Sequence, residues 1–409
     1  MKIIKLSSEH WYRLPATLPE NSKGVFQTDT LGESLWRQFF AFDPMATFVL
    51  DDYNRLPELS DFLTMHQQAF CPGFLSYDLG LKIQGLTSRH KPDVPLAIFQ
   101  AYENWVEYDQ GSIVVNSRDP GYIKQIENMI QDLIEPQIPQ TPLKFESSVN
   151  QDDYRRNIKK IHDYIRAGDF YQLNYTQHLK ATTSLSPRSL FSKMIGKHPA
   201  AYAGYFEYEQ FTLISLSPEL FLRHFQGVLT TEPIKGTRPR GITGDQDESL
   251  KLELLNSAKE EAELFMITDL LRNDLGKVCK IGSIHIEAVK GIKKLPKVWH
   301  TYSRISGKLA ESYQPLDALL SMFPGGSITG CPKKRAMEVI DELEIESRGI
   351  YTGSIGYFHP DGEFGFNIAI RTLVQKGAQL SLGTGGGITI DSSWEAEWAE
   401  LMLKATTFN

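Results

Sequence analysis

The chain has 409 residues, of which 41% are hydrophobic and 23% are charged, and these proportions are ordinary for a soluble globular protein. Its formal net charge of -7 excludes a general basic surface that would attract nucleic acid or anionic lipid. A run of about 18 apolar residues, the length needed to span a bilayer, does not occur. We therefore expect neither nucleic acid nor a membrane as a partner.

The first residues and the cysteines indicate the compartment. The segment from Met1 to Ser8 has lysines but no apolar run behind them, so a signal peptide is not expected. The cysteines Cys71, Cys279 and Cys331 are far apart and lack metal-ligand spacing. Unpaired cysteines suit a reducing environment, so we predict a cytoplasmic protein.

A proline-rich segment at 134–144 divides the chain. Its prolines cannot lie inside a helix or a central strand, so we predict a joint there. The joint would separate an N-terminal region, 1–140, from a catalytic core, 141–409. Helical spacing of apolar residues predicts a helix at 121–133 and another beginning after Asn150, which would be its N-cap.

Within the core, short strands alternate with helices. The hydrophobic pattern predicts strands at 201–208, 211–216, 219–225, 364–373 and 378–383. It predicts helices at 186–196, 247–274, 314–322, 332–343 and 393–405. The first two of these strands are joined too tightly for a parallel crossover, so they should pair antiparallel. Antiparallel sheets with packed helices make the expected fold class α+β.

Two pairs of glutamates recur at helical spacing. Glu260 and Glu263 are three residues apart in the predicted helix 247–274. Glu397 and Glu400 repeat that spacing in the last predicted helix. If the pairs faced one another, they would offer the oxygen ligands that Mg²⁺ prefers. Two solvated helix faces would explain the same spacing, and spacing alone favours that interpretation.

The segment Pro233–Gly241 has the sequence Pro-Ile-Lys-Gly-Thr-Arg-Pro-Arg-Gly, which predicts a rigid loop after a strand. It concentrates Lys235 and two arginines in a short stretch. Such a lysine could bind an anion, or it could act as a nucleophile if a dry pocket kept its amine neutral. A solvated basic turn is the competing interpretation.

Two glycine-rich segments could bring the backbone close to a ligand. Pro324–Gly330 leads into the helix predicted at 332–343, whose N-terminal N–H groups would suit a carboxylate or phosphate. The Walker lysine spacing is missing, and no Gly-x-Gly-x-x-Gly follows a strand, so nucleotide binding is not expected. Gly383–Gly387, placed between two strands, fits either a turn or close approach to a ligand. His300, among hydrophobic neighbours, fits a core residue better than a catalyst when it is taken alone.

Six motifs occur in an order that resembles the chorismate-utilising enzymes. They are Ser217–Glu219, Pro233–Gly241, Ala262–Leu275, Pro324–Gly330, Gly349–Tyr357 and Ala369–Thr372. That family contains component I of anthranilate synthase and of aminodeoxychorismate synthase, together with the isochorismate and salicylate synthases. The resemblance covers the predicted core, and Gly73–Gly80 is the best match in the N-terminal region.

The resemblance implies a fold of two antiparallel sheets in a sandwich flanked by helices. It also implies a Mg²⁺ ion that grips the ring carboxylate of chorismate. The implied ligands are Glu263 and Glu400, with Glu260 and Glu397 reaching the ion directly or through water. The implied substrate-binding residues are Tyr351, Arg371, Gly385 and Gly387 at the enolpyruvyl carboxylate, Thr329 and His300 at the ring carboxylate, and Gln172 and Thr237 elsewhere in the site.

Two positions separate the activities within the family that the sequence resembles. Lys235 stands where anthranilate and isochorismate synthases carry alanine, and its motif resembles that of the aminodeoxychorismate synthases. Gln172 stands where isochorismate and salicylate synthases carry a water-activating lysine. The resemblance therefore implies that ammonia is added at C4 of chorismate, giving 4-amino-4-deoxychorismate. Lys235 would attack C2, and Glu219 would be the general acid–base.

The same resemblance implies protein partners. No cysteine lies in a glycine elbow of the amidotransferase kind, because Cys331 falls inside a core motif. We therefore expect a separate glutaminase subunit that delivers ammonia, and a separate pyridoxal-phosphate lyase that completes the route to 4-aminobenzoate and folate. Anthranilate synthase component I is the first alternative, and a non-catalytic chorismate-binding subunit is the second.

Overall fold

The computed structural model describes residues 2–31, 34–109, 111–133, 143–295, 297–405 and 408. These residues form two antiparallel β-sheets flanked by helices, which confirms the fold predicted from the sequence. The larger sheet has 12 strands and the smaller sheet has 10 within the described ranges.

The strands that precede the proline-rich segment are β1 (Lys2–Lys5), β2 (Gly24–Leu31), β3 (Ser34–Phe42), β4 (Ala46–Leu50), β5 (Cys71–Leu75), β6 (Ala97–Ala101), β7 (Trp105–Asp109) and β8 (Ser112–Asn116). Those that follow it are β9 (Glu146–Ser147), β10 (Gln172–Thr182), β11 (Tyr202–Tyr208), β12 (Phe211–Ser217), β13 (Leu220–Phe225), β14 (Val228–Glu232), β15 (Ile234–Pro239), β16 (His285–Lys294), β17 (Val298–Lys308), β18 (Gly330–Cys331), β19 (Ser354–Phe358), β20 (Phe364–Asn367), β21 (Thr372–Lys376) and β22 (Gln379–Ile388).

The α-helices are α1 (Ser8–Trp11), α2 (Leu56–Met65), α3 (Tyr77–Ile83), α4 (Pro120–Gln131), α5 (Gln151–Ala167), α6 (Pro187–Lys197), α7 (Gly244–Asn256), α8 (Ala258–Gly276), α9 (Pro315–Met322), α10 (Lys333–Leu343) and α11 (Trp394–Ala405). Short 3₁₀ helices lie at Leu14–Thr17, Tyr53–Arg55 and Gly326–Ile328. Helices α4, α5, α6, α9, α10 and α11 lie where the sequence predicts helices. Within the described ranges, none of these helices combines the length and the apolar character that crossing a bilayer requires.

Each sheet contains strands from both sides of the proline-rich segment. The larger sheet has the order β1-β8-β7-β3-β2-β11-β12-β21-β22-β10-β18, and β9 also pairs with β10. The smaller sheet has the order β15-β17-β14-β13-β20-β19-β5-β6-β4, and β16 also pairs with β17. β11 and β12 form the predicted antiparallel hairpin. The pairs β2–β11 and β5–β19 join the N-terminal strands to the core strands. The predicted joint at 134–144 falls mostly outside the described residues, because 134–142 are not among them.

Aromatic side chains from the two sheets pack against each other. The ring centroid of Phe39 on β3 lies 4.6 Å from that of Tyr357 on β19. Phe74 on β5 packs edge-on against Phe206 on β11 at 5.8 Å. Both contacts join the larger sheet to the smaller one, so they form the interior of the sandwich.

Two predicted elements are each divided in the structure. The predicted helix 247–274 is two helices, α7 and α8, that meet at Ser257, whose hydroxyl accepts from the backbone N–H of Glu260. The apolar spacing continues across this break, and that continuity hid it from the sequence analysis. The predicted strand 364–373 is β20 and β21, which belong to different sheets. Arg371, between them, has a positive φ of 49°, where the chain leaves extended geometry.

Two predicted loops are strands in the structure. Most of Pro233–Gly241 forms β15, which pairs with β17. The run Gly383–Gly387 lies inside β22 and pairs with β10, so the prediction that it lies between two strands is wrong. Glycine and proline disfavour strands in isolation, but neighbouring strands supply hydrogen bonds and packing that outweigh this preference.

Asn150 is the predicted N-cap of α5, and its side chain accepts from the backbone N–H of Asp153 at 2.9 Å. We expect Asn150→Ala to lower the free energy of unfolding by about 1 kcal/mol, because one helix N–H loses its partner. Chemical denaturation measures this change. Asn150→Ser, which keeps an oxygen acceptor, should stay close to the wild type, and equal losses in both variants would contradict the capping role.

Candidate active site

Lys235 lies on β15, beside the loop that leads from α9 to β18. Its Nζ donates to the carbonyl oxygen of Ser327 at 3.3 Å. The hydroxyl of Ser327 donates to Oε1 of Glu219 at 2.6 Å. Glu219 is buried and immediately precedes β13. Ser327 therefore contacts both residues that the sequence analysis predicts to be catalytic.

A bulge in β15 sets the local geometry around Lys235. The pairing of β15 with β17 shifts register between Lys235 and Thr237, and Gly236 between them has a positive φ of 80°. A Cβ at Gly236 would lie 2.8 Å from Leu254 and 2.9 Å from an oxygen of Glu260. Because a side chain there would be both strained and crowded, the segment Pro-Ile-Lys-Gly-Thr requires its glycine.

The carboxyl of Glu219 is suited to proton transfer near neutral pH. Burial raises the pKa of Glu219 to about 7, although the hydrogen bond from Ser327 and the charge of Lys235 act in the opposite direction. At neutral pH the group is therefore divided between its protonated and ionised forms. A carboxyl in that state can both donate and accept a proton.

His300 on β17 is a neutral imidazole with one unused nitrogen. Its Nδ1 lies 2.8 Å from the Thr237 hydroxyl and 3.3 Å from the carbonyl oxygen of Gly236. Burial, followed by the charge of Arg371, lowers the pKa of His300 to about 4. Its Nε2 is buried and has no hydrogen-bond partner among the described residues. Buried polar atoms are seldom left without a partner, so Nε2 is available to a ligand.

Arg371 and Gln172 also have unused polar groups. In the described part of the chain, the guanidinium of Arg371 has no hydrogen bond or ion pair, and burial lowers its pKa. A partly buried guanidinium without a counter-ion favours an anionic ligand. The side chain of Gln172, on β10, is only 3% exposed, and its Oε1 lacks a partner among the described residues.

The glycines of β22 allow neighbouring side chains to lie directly against its backbone. A Cβ at Gly387 would lie 1.9 Å from Nε2 of Gln172, and one at Gly383 would lie 2.0 Å from Cγ of Tyr351. A Cβ at Gly385 would lie 2.3 Å from a backbone oxygen of β10. A side chain at Gly387 or Gly383 would displace a residue predicted to bind substrate, so these two glycines keep Gln172 and Tyr351 in place.

The glycine-rich loop places Ser327, and not the predicted Thr329, in contact with the predicted catalytic residues. The Thr329 hydroxyl donates within its own loop, to the carbonyl oxygens of Gly325 at 3.1 Å and Gly326 at 3.4 Å. Its backbone carbonyl accepts from Asn174. Ser327, which the sequence analysis did not single out, contacts Glu219 and Lys235 instead. Both hydroxyls lie in the same glycine-rich run, and the sequence carries no signal for which of them faces the site.

The four predicted metal ligands lie at the N-terminal ends of α8 and α11. Glu260 and Glu263 belong to the first two turns of α8, and Glu397 and Glu400 to those of α11. Burial raises the pKa of Glu263, and the charges of Glu260 and Glu397 raise it further. The charge of Lys235 lowers the same pKa. The pKa of Glu263 therefore depends on carboxylates of both helices and on the predicted nucleophile.

The carboxylates are not gathered into a closed cluster. Within the described ranges, no three acidic, histidine or cysteine side chains lie close enough together to hold a metal ion. Arg238 donates to Glu260 at 3.4 Å, Ser392 to Glu397 at 2.7 Å and Lys404 to Glu400 at 2.9 Å. Burial, together with repulsion from Glu400, raises the pKa of Glu397. The donor set, all oxygen and mutually repelling, fits the chemistry of Mg²⁺, and a cation would relieve the repulsion.

Comparison with known proteins identifies the family. The family described as chorismate binding enzyme matches residues 26–409. Anthranilate synthase component 1 1 of Haloarcula marismortui is 35% identical over 94% of this chain and 86% of its own length. Aminodeoxychorismate synthase component 1 of Bacillus subtilis is 33% identical over 81% of this chain and 74% of its own. The crystal structure of anthranilate synthase component I from Streptococcus pneumoniae matches with a TM-score of 0.77 at 25% identity, covering 96% of this chain and 92% of that one. The chain therefore belongs to the chorismate binding enzyme family.

Proposed function

We propose that this protein aminates chorismate at C4 with ammonia and releases 4-amino-4-deoxychorismate. The observation that carries the proposal is Lys235 on the β15 bulge, whose amine contacts the same residue, Ser327, that hydrogen-bonds Glu219. The motif around Lys235 resembles that of the aminodeoxychorismate synthases, whereas anthranilate synthases carry alanine at the position of this lysine. Gln172 supports the use of ammonia, because the water-using branch of the family carries a lysine at that position.

The buried polar groups support binding of a substrate with two carboxylates. Arg371 would pair with the enolpyruvyl carboxylate, next to Tyr351 and the backbone of β22. His300 Nε2 would face the ring carboxylate. The glutamates of α8 and α11 would hold Mg²⁺, which supplies positive charge to the ring carboxylate and assists the departure of the C4 hydroxyl.

The reaction would proceed in two displacements. The Lys235 amine attacks C2 while both ring double bonds shift by one position and the C4–O bond breaks. Protonated Glu219 donates its proton to the departing hydroxyl, which leaves as water. Ammonia then attacks C4, both double bonds shift back, and the bond between C2 and Lys235 breaks. The Glu219 carboxylate accepts the proton that the added nitrogen releases, and the enolpyruvyl group stays intact.

Two partners complete the proposal. Ammonia would come from a separate glutaminase subunit that hydrolyses glutamine. A separate pyridoxal-phosphate lyase would remove pyruvate from the product and give 4-aminobenzoate. Anthranilate synthase component I is the second candidate, and the similarity to relatives with that name favours it. It would use the same carboxylate and arginine contacts but would aminate C2 and eliminate pyruvate itself.

Product analysis separates the two candidates. With chorismate, ammonium and Mg²⁺ we expect 4-amino-4-deoxychorismate, which turns into 4-aminobenzoate only when a lyase is added. Chromatography coupled to mass spectrometry and fluorescence detects both products. Anthranilate fluorescence without any lyase would establish the second candidate instead. No consumption of chorismate at all would support a non-catalytic chorismate-binding subunit.

Lys235→Ala tests the covalent step. We expect the wild-type protein, quenched during turnover without excess ammonium, to carry a chorismate-derived mass on the peptide containing Lys235. The alanine variant should carry none, because the attacking amine is missing. Intact-protein and peptide mass spectrometry measure the adduct. Lys160→Ala, at an exposed position on α5, is the matched control and should keep it. An adduct on Lys235→Ala would refute the assignment.

Ser327→Ala tests whether Ser327 tunes Glu219. The serine hydroxyl donates to the carboxylate and so favours its ionised form, and such bonds are worth about 1.5–3 kcal/mol. Their loss should raise the pKa of Glu219 by about one to two pH units. Because the first step needs protonated Glu219, kcat/KM should fall as the pH rises through about 7 in the wild type.

In Ser327→Ala this fall should occur at higher pH, and the pH dependence of kcat/KM measures it. Ser327→Thr, which retains a hydroxyl, should return the transition towards the wild-type value. An unchanged profile in the alanine variant, or a shift to lower pH, would show that Ser327 does not act through the carboxyl of Glu219.

A further inference from the structure

A buried ion pair between Arg348 and Glu344 contacts segments that carry residues of the candidate site. Arg348, only 2% exposed, donates from Nε to Oε2 of Glu344 at 2.9 Å and from Nη2 to Oε1 at 2.7 Å. Its guanidinium lies 4.6 Å from the ring centroid of Tyr77. Burial opposes the positive charge, but Glu344 outweighs it and raises the pKa of Arg348. The pair is therefore charged and geometrically fixed on both sides.

The arginine side of the pair reaches three separate segments of the chain. Nη1 donates to the carbonyl oxygen of Ile328 at 2.9 Å and to the Thr352 hydroxyl at 3.2 Å. Nη2 donates to the carbonyl oxygen of Asn174 at 2.5 Å. These bonds join the glycine-rich loop, the segment that follows α10, and β10 through one planar group.

The carboxylate side of the pair fixes β10 a second time. Oε1 of Glu344 accepts from the backbone N–H of Thr176 at 3.0 Å and from its hydroxyl at 2.8 Å. Asn174, two residues earlier, donates through Nδ2 to the carbonyl oxygen of Ile328 at 3.1 Å. β10 and the glycine-rich loop are thus held both to each other and to the ion pair.

Each segment that Arg348 contacts carries a site residue beside the point of contact. The three couples are Ser327 with Ile328, Tyr351 with Thr352, and Gln172 with Asn174. None of the three contacted groups belongs to a residue assigned to bind substrate. The ion pair therefore acts on the site through the backbone and not through contact with a ligand.

The contact with Thr352 holds an unfavourable backbone conformation. Thr352 has a positive φ of 60°, which a β-branched residue strongly disfavours. Its hydroxyl accepts from Arg348 and donates to the carbonyl oxygen of Tyr351 at 2.6 Å. Without the guanidinium, this segment would lose a bond that keeps Tyr351 packed against Gly383.

We propose that the Arg348–Glu344 ion pair is a positioning device that fixes the spacing of Ser327, Tyr351 and Gln172 and thereby sets the affinity for chorismate. The inference rests on the proposed function in taking chorismate as the ligand, but it does not depend on which carbon is aminated. Arg348 and Glu344 are positioning residues, since neither contacts the site directly.

The test compares two arginine-to-lysine variants. Arg348→Lys keeps the charge but cannot reach all five acceptor atoms, which belong to four residues, at once. Arg223→Lys is the matched control, because Arg223 is 5% exposed and pairs with the carboxylate of Asp29 between the two sheets, outside the candidate site. For the full-length chain with Mg²⁺, calorimetry without ammonia on the Lys235→Ala background, where no covalent adduct forms, gives the Kd for chorismate. Chorismate consumption with ammonium by the variants that retain Lys235 gives KM and kcat. Circular dichroism verifies that each variant is folded.

We expect Arg348→Lys to raise both Kd and KM for chorismate by about tenfold or more, as a displaced binding group should. Its kcat should change less, and Arg223→Lys should leave Kd and KM unchanged. Equal effects in the two variants, or an unchanged Kd in Arg348→Lys, would overturn the inference. If Arg348→Lys does not fold, Thr352→Val, which removes one of the contacts, must raise Kd for the inference to stand.

The outcomes separate this inference from the proposed function. If the wild type forms anthranilate, the proposed function fails, but the comparison of Kd values still decides the role of Arg348. If the wild type forms 4-amino-4-deoxychorismate and Arg348→Lys binds chorismate normally, only the positioning role fails. A wild type that does not bind chorismate overturns both.

Discussion

The cost of keeping charge away from water governs the candidate site. Burial raises the pKa of Glu219 and lowers that of His300, so an acid and an imidazole can both be neutral at the same pH. Arg371 is partly shielded from water, with no hydrogen-bonded or ion-paired carboxylate in the described ranges. A guanidinium that is shielded from water and has no counter-ion favours an anionic ligand, because pairing with an anion offsets the cost of desolvation.

Close contacts with the backbone hold the side chains of the candidate site in place. The glycines of β22 admit the side chains of Gln172 and Tyr351 at distances that a Cβ would forbid. The bulge at Gly236 shifts the pairing register of β15 with β17 between Lys235 and Thr237. In contrast, Glu260, Glu397 and Glu400 each contact a separate side chain, and the charges of Glu260 and Glu397 raise the pKa of Glu263. The surroundings of Lys235, Gln172 and Tyr351 are thus fixed by backbone contacts, whereas the glutamates at the starts of α8 and α11 do not form one cluster among the described residues.

Hydrophobic spacing and capping are local signals, and they predicted the α+β class, the antiparallel hairpin of β11 and β12 and the cap at Asn150. The two-sheet sandwich was implied only by the resemblance to a known family. The prediction of elements failed where the hydrophobic pattern continues from one helix or strand into the next. The apolar spacing of 247–274 gives no sign of the break at Ser257. In 364–373, apolar residues recur at every second position from Phe364 to Ile370, past the end of β20, so the alternation does not show where the chain changes sheet. Thr329 and Ser327 could not be told apart, because which hydroxyl faces Glu219 depends on the turn of the loop. The role of Arg348 was equally invisible, since its partners come from three distant segments.

The interleaving of strands in both sheets bears on how the chain folds. β5 pairs with β19, and β2 pairs with β11, so neither sheet can close until segments far apart in sequence have met. Contacts of such long range make folding slow, because much chain entropy is lost before the pairing stabilises the structure. During synthesis, β5 emerges long before β19 and exposes an unpaired edge that could capture another strand. The architecture that builds a shared interior from both halves of the chain therefore makes the unfinished chain a candidate for protection by chaperones.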